Sequence, residues 1–279
     1  MPKYYKLITK TNIFYAILSD DGAITVGGKI KGCIFITPVK NNIAILERLS
    51  YDSRCDINGT MQRSYGTIGM IKSALQFAFL IHPELKEIQF QDHSYKNCGD
   101  KTIQLAPLYI TIYGKTWYES KFGAVLKNKN MYNDINKYNI HVQTKPEWNI
   151  LWSFIQQKIE QDDIIKINSI KKHIETYWTK TGSFREMIKS IINNNDCYLL
   201  IDWIEQYFTY YTRLSILHQK YTIYRYNENN IELESSEISD PYIKSLTSRQ
   251  TKQQYKNTSL FMNFIPRKGG YRFGKEHLN

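Results

Sequence analysis

The first fifty residues alternate between short apolar runs and polar turn signals. Asp-Asp-Gly, Gly-Gly and Asn-Asn interrupt the runs, and such punctuation is typical of strands joined by tight turns. The sequence therefore predicts strands within four segments: YYKLITKTN, FYAILSDD, AITVGGKIKGCIFITPV and NNIAILERLSY.

The pattern then changes to a helical spacing. Apolar residues in MIKSALQFAFLI (70–81) recur at i, i+3, i+4, i+7 and i+8, which predicts an amphipathic helix that ends before His82-Pro83. Residues 52–69 are expected to form a loop. A second helix is expected from Ala106-Pro107 through TWYESKFGA, because proline is favoured in a first helical turn. We expect KEIQFQD, GAVLKN and YNIHVQT as strands and HSYKNCGDKTIQ as a polar loop.

Beyond Pro146 the long segments carry helical spacing. Residues 227–257 are polar and are expected to form a loop or a partly disordered segment. The end, SLFMNFIPRKGGYRFGKEHLN, mixes apolar and basic residues as a docking tail would. The predicted organisation is an α/β domain over residues 1–145, a helical region over 146–226, and a polar loop with a basic tail over 227–279.

Composition adds broad limits. The chain has 279 residues, of which 42% are hydrophobic and 23% charged, as in globular proteins with a real core. It shows neither an apolar run long enough to span a membrane nor a signal-peptide core at its start, so a soluble intracellular protein is expected. The four cysteines are far apart without a CxxC pair; we interpret them as free thiols and expect no metal site.

The chain is basic, with 37 Lys and Arg residues, 26 Asp and Glu residues and a net charge of +11. A basic surface favours polyanions such as nucleic acid or phosphate-rich cofactors. The abundant Lys, Asn, Ile and Tyr residues are also what an AT-rich genome encodes, so part of the charge reflects codon usage.

A glycine-bearing segment between a strand and a helix is the first candidate site. Gly66 and Gly69 precede the predicted helix, where unpaired backbone N–H groups and the helix dipole form an anion site that suits a pyrophosphate. Arg63 would add a positive charge. The spacing is neither GxGxxG nor GxxxxGKS, and glycine before a helix also serves as plain punctuation.

The order of the segments resembles the GNAT-type acetyltransferases. In that family an R-x-x-G-x-(G/A) loop after the fourth strand cradles the pyrophosphate of acetyl-CoA, and a later aromatic-rich helix carries a tyrosine that protonates the departing thiolate. Here RSYGTIG and WYESKFG stand at those places, and the resemblance covers residues 30–135 best. More narrowly, RSYGTIGMIKSAL, FQDHS and KTWYESKFGA look like the GNAT-like proteins of large cytoplasmic (giant) DNA viruses.

The resemblance implies an α+β fold: a GNAT-like mixed, mostly antiparallel sheet flanked by helices, with a mainly helical C-terminal region. It makes residues 1–145 an acyl-CoA-binding domain with acetyl-CoA as cofactor. The chain departs from the family pattern at Ile68, where a second small residue is expected, and at Phe122-Gly123, where Gly-Phe is inverted. The implied cofactor residues are Arg63, Ser64, Tyr65, Gly66, Thr67, Ile68 and Gly69.

The implied catalytic residues are Tyr118 as general acid and Glu47 as general base, with Asp92 and His93 as the second choice for the base. Each has a structural alternative. Tyr118 is equally compatible with a core aromatic, Glu47 with a strand-edge carboxylate paired to a basic neighbour, and His93 with a surface histidine.

Three functions follow. The first is an N-acetyltransferase that moves an acetyl group from acetyl-CoA to an amine, with Ile68 pointing to a degenerate site. The second is a non-catalytic GNAT-fold viral structural or interaction protein that contacts a protein partner through its helical half. The third is a nucleic-acid-associated protein whose RKGGYRFGK segment grips phosphate and stacks on bases. The expected location is the host cytoplasm, including the viral factory or virion.

Overall fold

The structure is a computed structural model. It describes residues 1–29, 31–59, 61, 65–92, 94–159, 164–214, 219–225 and 233–238. The described chain forms two compact units. The first contains Met1–Phe90 and the described residues from Thr222 onward, and the second contains Gln91–Tyr221.

The strands are β1 (Lys3–Ile8), β2 (Ile13–Leu18), β3 (Ile24–Gly27), β4 (Gly32–Ile36), β5 (Ile43–Leu49), β6 (Glu87–Gln91), β7 (Tyr95–Cys98), β8 (Lys101–Gln104), β9 (Val125–Leu126), β10 (Lys220–Tyr224) and β11 (Glu234–Ile238). In the first unit their order is β11-β1-β2-β3-β4-β5-β6-β10. The pairs from β11–β1 through β4–β5 are antiparallel, whereas β5 and β6 are parallel. The fold is therefore α+β with a mostly antiparallel sheet.

The helices are α1 (Tyr65–Ile81), α2 (Leu105–Tyr113), α3 (Trp117–Phe122), α4 (Met131–His141), α5 (Trp148–Gln156), α6 (Ile164–Lys180), α7 (Phe184–Asn193) and α8 (Ile204–Thr212). Two short 3₁₀ helices span Ser53–Cys55 and Cys197–Leu200. Among the described residues, no helix is long and apolar enough to cross a membrane.

The core of the first unit lies between the sheet and α1. Side chains on one face of the strands form this core. In β2, for example, the buried residues Phe14 and Ala16 alternate with more exposed neighbours. Helix α1 contributes Phe77, whose ring centroid lies 4.9 Å from that of Tyr5 in β1. The strands predicted over the first fifty residues are thus confirmed.

The second unit is built mainly from helices α2–α8. Its core contains large aromatic side chains at most 2% exposed, including Tyr138, Trp203, Tyr207 and Phe208. Phe184 of α7 stacks on Tyr207 of α8 with ring centroids 4.3 Å apart. Strand β9 lies beside the start of β10, where the Lys127 N–H donates to the Lys220 carbonyl at 2.9 Å.

The loop predicted over 52–69 ends earlier than expected, since α1 begins at Tyr65. Gly66–Gly69 are therefore helical, and the prediction of a glycine loop at these residues is wrong. Buried positions 66, 67, 70, 71 and 74 continue the helical spacing backward. Because glycine and threonine are weak helix formers, the sequence did not indicate that residues 65–69 belong to the helix.

Two other segments also differ from their predicted structure. The expected polar loop HSYKNCGDKTIQ contains the hairpin β7–β8, which turns at Gly99 with a φ of +76°. The expected strand YNIHVQT contains the end of α4, because Met131, Ile135, Tyr138 and Val142 are buried at helical spacing.

The expected single helix over residues 106–124 is two helices. Gly114 ends α2 in the left-handed region, with a φ of +81°. Thr116 then caps α3 in a capping box with Glu119: the Glu119 N–H donates to Thr116 Oγ1 and the Thr116 N–H to Glu119 Oε2. The sequence T-x-x-E is the signal for such a new helix start.

The prediction of free thiols is wrong. Cys33 pairs with Cys55 and Cys98 with Cys197, so the described residues contain no free cysteine. The partners are 22 and 99 residues apart in sequence. Cysteine spacing alone does not identify such pairs, because it does not show which residues the fold brings together.

Residues 220–224, which were expected within the helical region 146–226, form strand β10. The predictions for residues 227–279 are tested only at β11. Glu234–Ile238 were expected within a polar loop, but they pair with β1 at the edge of the sheet. These residues are mostly exposed and include two glutamates, so no hydrophobic pattern indicated a strand. Charged residues are nevertheless common on edge strands. The basic tail with RKGGYRFGK lies outside the described residues.

Candidate functional site

The start of α1 contains the residues that the sequence assigns to the cofactor. Arg63 and Ser64 lie outside the described residues, and Tyr65 is the first residue of the helix. The first N–H groups of a helix lack an intrahelical acceptor, and the dipole places partial positive charge there. The helix start thus retains an anion-binding character, although Gly66–Gly69 do not form the expected loop.

The two glycines of this turn have different surroundings. A Cβ at Gly66 would lie 2.5 Å from Cγ of Met61, so Gly66 permits close packing of the preceding segment on the helix. At Gly69, no described atom outside the helix's own backbone lies within 4 Å of an added Cβ. A side chain at Gly69 therefore has room.

Strand β5, which leads toward α1, has a β-bulge at Glu47. Strand β4 advances by one residue, from Phe35 to Ile36, while β5 changes by two, from Arg48 to Leu46. Glu47 is the extra residue, and its side chain is exposed. Bulges re-aim side chains and are over-represented beside active sites.

The parallel pairing of β5 ends just before this bulge. Ile43–Ile45 pair with Glu87–Gln89, and the described ladder includes none of the residues Leu46–Leu49. Beyond Ile45, the β5 backbone groups on the side of β6 have no ladder partner among the described residues. The first unit therefore presents unpaired strand backbone, an exposed carboxylate and a helix start along one β–α–β connection.

The segment between β5 and α1 contains a compact ion cluster. Asp52 accepts from Lys31 Nζ at 2.7 Å and from Arg54 Nη2 at 2.7 Å. These hydrogen bonds, first from Arg54 and then from Lys31, hold the pKa of Asp52 far below its usual range. Asp52 also accepts from the Arg54 N–H and so caps the 3₁₀ helix Ser53–Cys55.

Tyr118, the predicted general acid, belongs to the second unit and is 6% exposed. Its ring centroid lies 4.9 Å from that of Trp117 and 5.6 Å from that of Tyr221. Trp117 and Phe122 also contact each other edge-to-face at 5.2 Å. The aromatic-rich segment is therefore a packed cluster on one side of α3.

Asp92 is the buried carboxyl group of the second unit and is 6% exposed. Its Oδ1 accepts from the Ser94 N–H at 2.8 Å and from the Ser94 hydroxyl at 2.5 Å. Burial raises the pKa of Asp92 to about 6, although the Ser94 hydrogen bonds oppose the increase. Such a group is able to exchange a proton near neutral pH.

Tyr221 joins Asp92 and Tyr118 in this part of the second unit. Burial raises the pKa of Tyr221 well above its ordinary value, and the charge of Asp92 raises it further. Sequence reasoning missed Tyr221, because 102 residues separate it from Tyr118 and no motif marks it. His93, the other residue of the second choice, lies outside the described residues.

No group of three or more His, Cys, Asp or Glu in the described part of the chain is arranged to hold a metal ion. In comparisons with protein-family models, curated proteins and solved structures, nothing matches this chain.

Proposed function

We propose that this chain is an acyl-CoA-dependent N-acyltransferase that uses acetyl-CoA. The observation that supports this most is the connection β5–α1–β6 in the first unit. Its parallel ladder ends after Ile45, a bulge follows at Glu47, and the chain then enters the helix start that carries Gly66 and Gly69.

This connection offers the two kinds of contact that acetyl-CoA needs. The pyrophosphate is an anion, and a helix start presents N–H donors and a favourable dipole. The pantetheine arm is an extended chain with two amide groups. Unpaired backbone groups of β5 after Ile45 are suited to amides, as in peptides that add to a sheet.

The reaction is a direct attack of a neutral amine on the acetyl carbonyl. A C–N bond forms, the C–S bond breaks, and the amine loses a proton while the thiolate gains one. Glu47 is the candidate base, because the bulge exposes its carboxylate beside the end of the ladder. The assignment of Tyr118 as the proton donor rests on the family resemblance.

Gly69 allows a charge test without disturbing the fold. Gly69→Glu adds a carboxylate next to the proposed phosphate position, and Gly69→Gln is its uncharged match of the same shape. Both replace glycine inside a helix and should gain about 0.5–1 kcal/mol of stability. Calorimetric titration with acetyl-CoA should show binding to wild type and at least roughly tenfold weaker binding to Gly69→Glu than to Gly69→Gln.

The two substitutions also identify a failure. Equal affinity of Gly69→Glu and Gly69→Gln for acetyl-CoA would show that its pyrophosphate does not bind at the start of α1. Absence of binding to the oxidised wild-type protein would exclude acetyl-CoA as its cofactor. Production of free CoA with an amine acceptor, measured with a thiol reagent on fully oxidised protein, would separate turnover from binding.

One observation favours a non-catalytic interaction protein as the second candidate. The second unit buries Tyr118, yet it exposes large apolar side chains, including Ile140 at 69%, Ile150 at 59% and Tyr210 at 67%. Exposed apolar residues of this size are common at protein interfaces when they are contiguous. Wild-type protein that neither binds acetyl-CoA nor releases CoA would favour this function.

A further inference from the structure

The segment that leads into α1 is covalently attached to the sheet. The disulfide Cys33–Cys55 joins β4 to the 3₁₀ helix Ser53–Cys55, and both cysteines are completely buried. This link lies in the first unit, on the connection between the bulged strand and the helix start.

Close contacts of backbone and side chains hold the same segment against the first three strands. The Ile57 N–H donates to the Ile13 carbonyl at 2.9 Å, and Asn12 Nδ2 donates to Asp56 Oδ2 at 3.2 Å. A Cβ at Gly28 would lie 2.0 Å from the carbonyl oxygen of Arg54. Only glycine at this position permits the approach.

The far end of the segment contacts the helix start. The Met61 N–H donates to the Ser53 carbonyl at 3.2 Å, and Tyr51 Oη donates to the Met61 carbonyl at 3.0 Å. Met61 is 2% exposed and packs where Gly66 has no side chain. A displacement of the 3₁₀ helix would therefore reach the first turn of α1 through Met61.

We infer that the Cys33–Cys55 disulfide positions the first turn of α1, so that the proposed cofactor site is complete only in the oxidised chain. The inference rests on the proposed function for its ligand, acetyl-CoA, but not for its structural part. Binding is tightest when the site is held in its bound geometry before the ligand arrives. The second disulfide, Cys98–Cys197, lies in the other unit and has no such role.

The chemical change is a thiol–disulfide exchange with a dithiol reductant. The Cys33–Cys55 bond is cleaved, each sulfur gains a hydrogen, and the dithiol is converted to its own disulfide. Without the covalent bond, the segment is held by its hydrogen bonds, the Asp52 ion cluster and the packing of Met61 on Gly66. These weaker contacts open more often, and each opening releases Met61 from Gly66.

The experiment compares four forms of the full chain. They are oxidised wild type, Cys33→Ala/Cys55→Ala, oxidised Cys98→Ala/Cys197→Ala, and the reduced form of this last variant, which has lost both links but keeps Cys33 and Cys55. Thiol counting verifies each state. Acetyl-CoA affinity is measured by calorimetry. Amide hydrogen exchange is measured for residues 69–71, because their N–H groups bond to the carbonyls of the first turn of α1.

Loss of Cys33–Cys55 should weaken acetyl-CoA binding by about tenfold or more and accelerate amide exchange at residues 69–71 by a similar factor. Loss of Cys98–Cys197 alone should change neither quantity by more than about twofold. The reduced form keeps both sulfur atoms of the first pair and tests the link even if the alanine pair does not fold.

Unchanged exchange at residues 69–71 after loss of Cys33–Cys55 would overturn the inference. So would an equal effect from loss of Cys98–Cys197 alone, since that would show a general loss of stability. If oxidised wild type does not bind acetyl-CoA, the proposed function fails, while the exchange rates still decide whether the disulfide positions the helix start.

Discussion

At Asp92 the fold buries a carboxyl group that water would otherwise solvate. Burial raises its pKa from 3.8 to about 6 despite two hydrogen bonds from Ser94. The folded chain therefore holds this proton more tightly than the unfolded chain between those values. Stability should fall as pH rises from about 4 to about 6 and remain low above that range.

Asp92→Asn should remove this pH dependence and stabilise the protein at pH 7. A pKa difference of about 2 units corresponds to about 3 kcal/mol, which is the upper limit of the gain. Denaturant unfolding from pH 4 to pH 8 measures the effect. Asp100→Asn, at an exposed hairpin position, is the control and should leave the pH profile unchanged. A profile with the same slope in Asp92→Asn would mean that other groups cause it.

Tyr118→Phe keeps the ring and its packing but removes the hydroxyl. Because Tyr118 is 6% exposed within an aromatic cluster, we expect the main effect on stability, a loss of about 1–3 kcal/mol. Turnover should then follow the folded fraction. A loss of turnover of about 10²-fold or more at an unchanged melting temperature would instead make Tyr118 the general acid. Tyr113→Phe, on the neighbouring helix α2, is the matched control.

The sequence allowed possible chemical roles to be assigned to single residues, but it did not show the surroundings of those residues in the fold. Glu47 was predictable as a strand residue, whereas the bulge that exposes it depends on the register between β4 and β5. Asp92 was a second choice because its burial is invisible in the sequence. No motif marked Tyr221, since its place beside Asp92 depends on the return of the chain after the seven described helices α2–α8.

Among the helices and strands, regular hydrophobic patterns gave correct predictions, whereas turn and capping residues were given too little weight. The apolar runs between turn signals predicted β1–β5, and the helical spacing predicted most of α1. The hairpin β7–β8 was missed because its strands are polar, and the turn at Gly99 was its only signal. The capping box of Thr116 and Glu119 could have been identified in the sequence, but the surrounding apolar residues led to the prediction of one continuous helix.

At the scale of the whole molecule, chain order and spatial order differ. Strand β10 begins in the second unit and ends in the first, and β11 pairs with β1 across more than 200 residues of sequence. The cysteines that pair are likewise distant in sequence. A local hydrophobic pattern contains no information on such long-range pairs, so neither the sheet order nor the disulfides could be predicted from it.

The two disulfides close loops of different length, one in each unit, and should therefore contribute unequally to stability. Their separations of 22 and 99 residues correspond to about 3 and about 4.7 kcal/mol of loop-closure entropy in the unfolded chain. Each double alanine variant removes two buried sulfur atoms, so the packing loss is similar in both. Cys98→Ala/Cys197→Ala should lower the unfolding free energy of its unit more than Cys33→Ala/Cys55→Ala lowers that of the other.

Amide hydrogen exchange under native conditions measures the free energy of each unit separately. Useful reporters are the most slowly exchanging amides of β2, which pairs with strands on both sides, and of α7, which has five buried residues. Equal losses, or a larger loss from the shorter loop, would contradict the prediction. Such a result would show that native packing around the sulfur atoms, rather than loop closure, determines what each disulfide contributes.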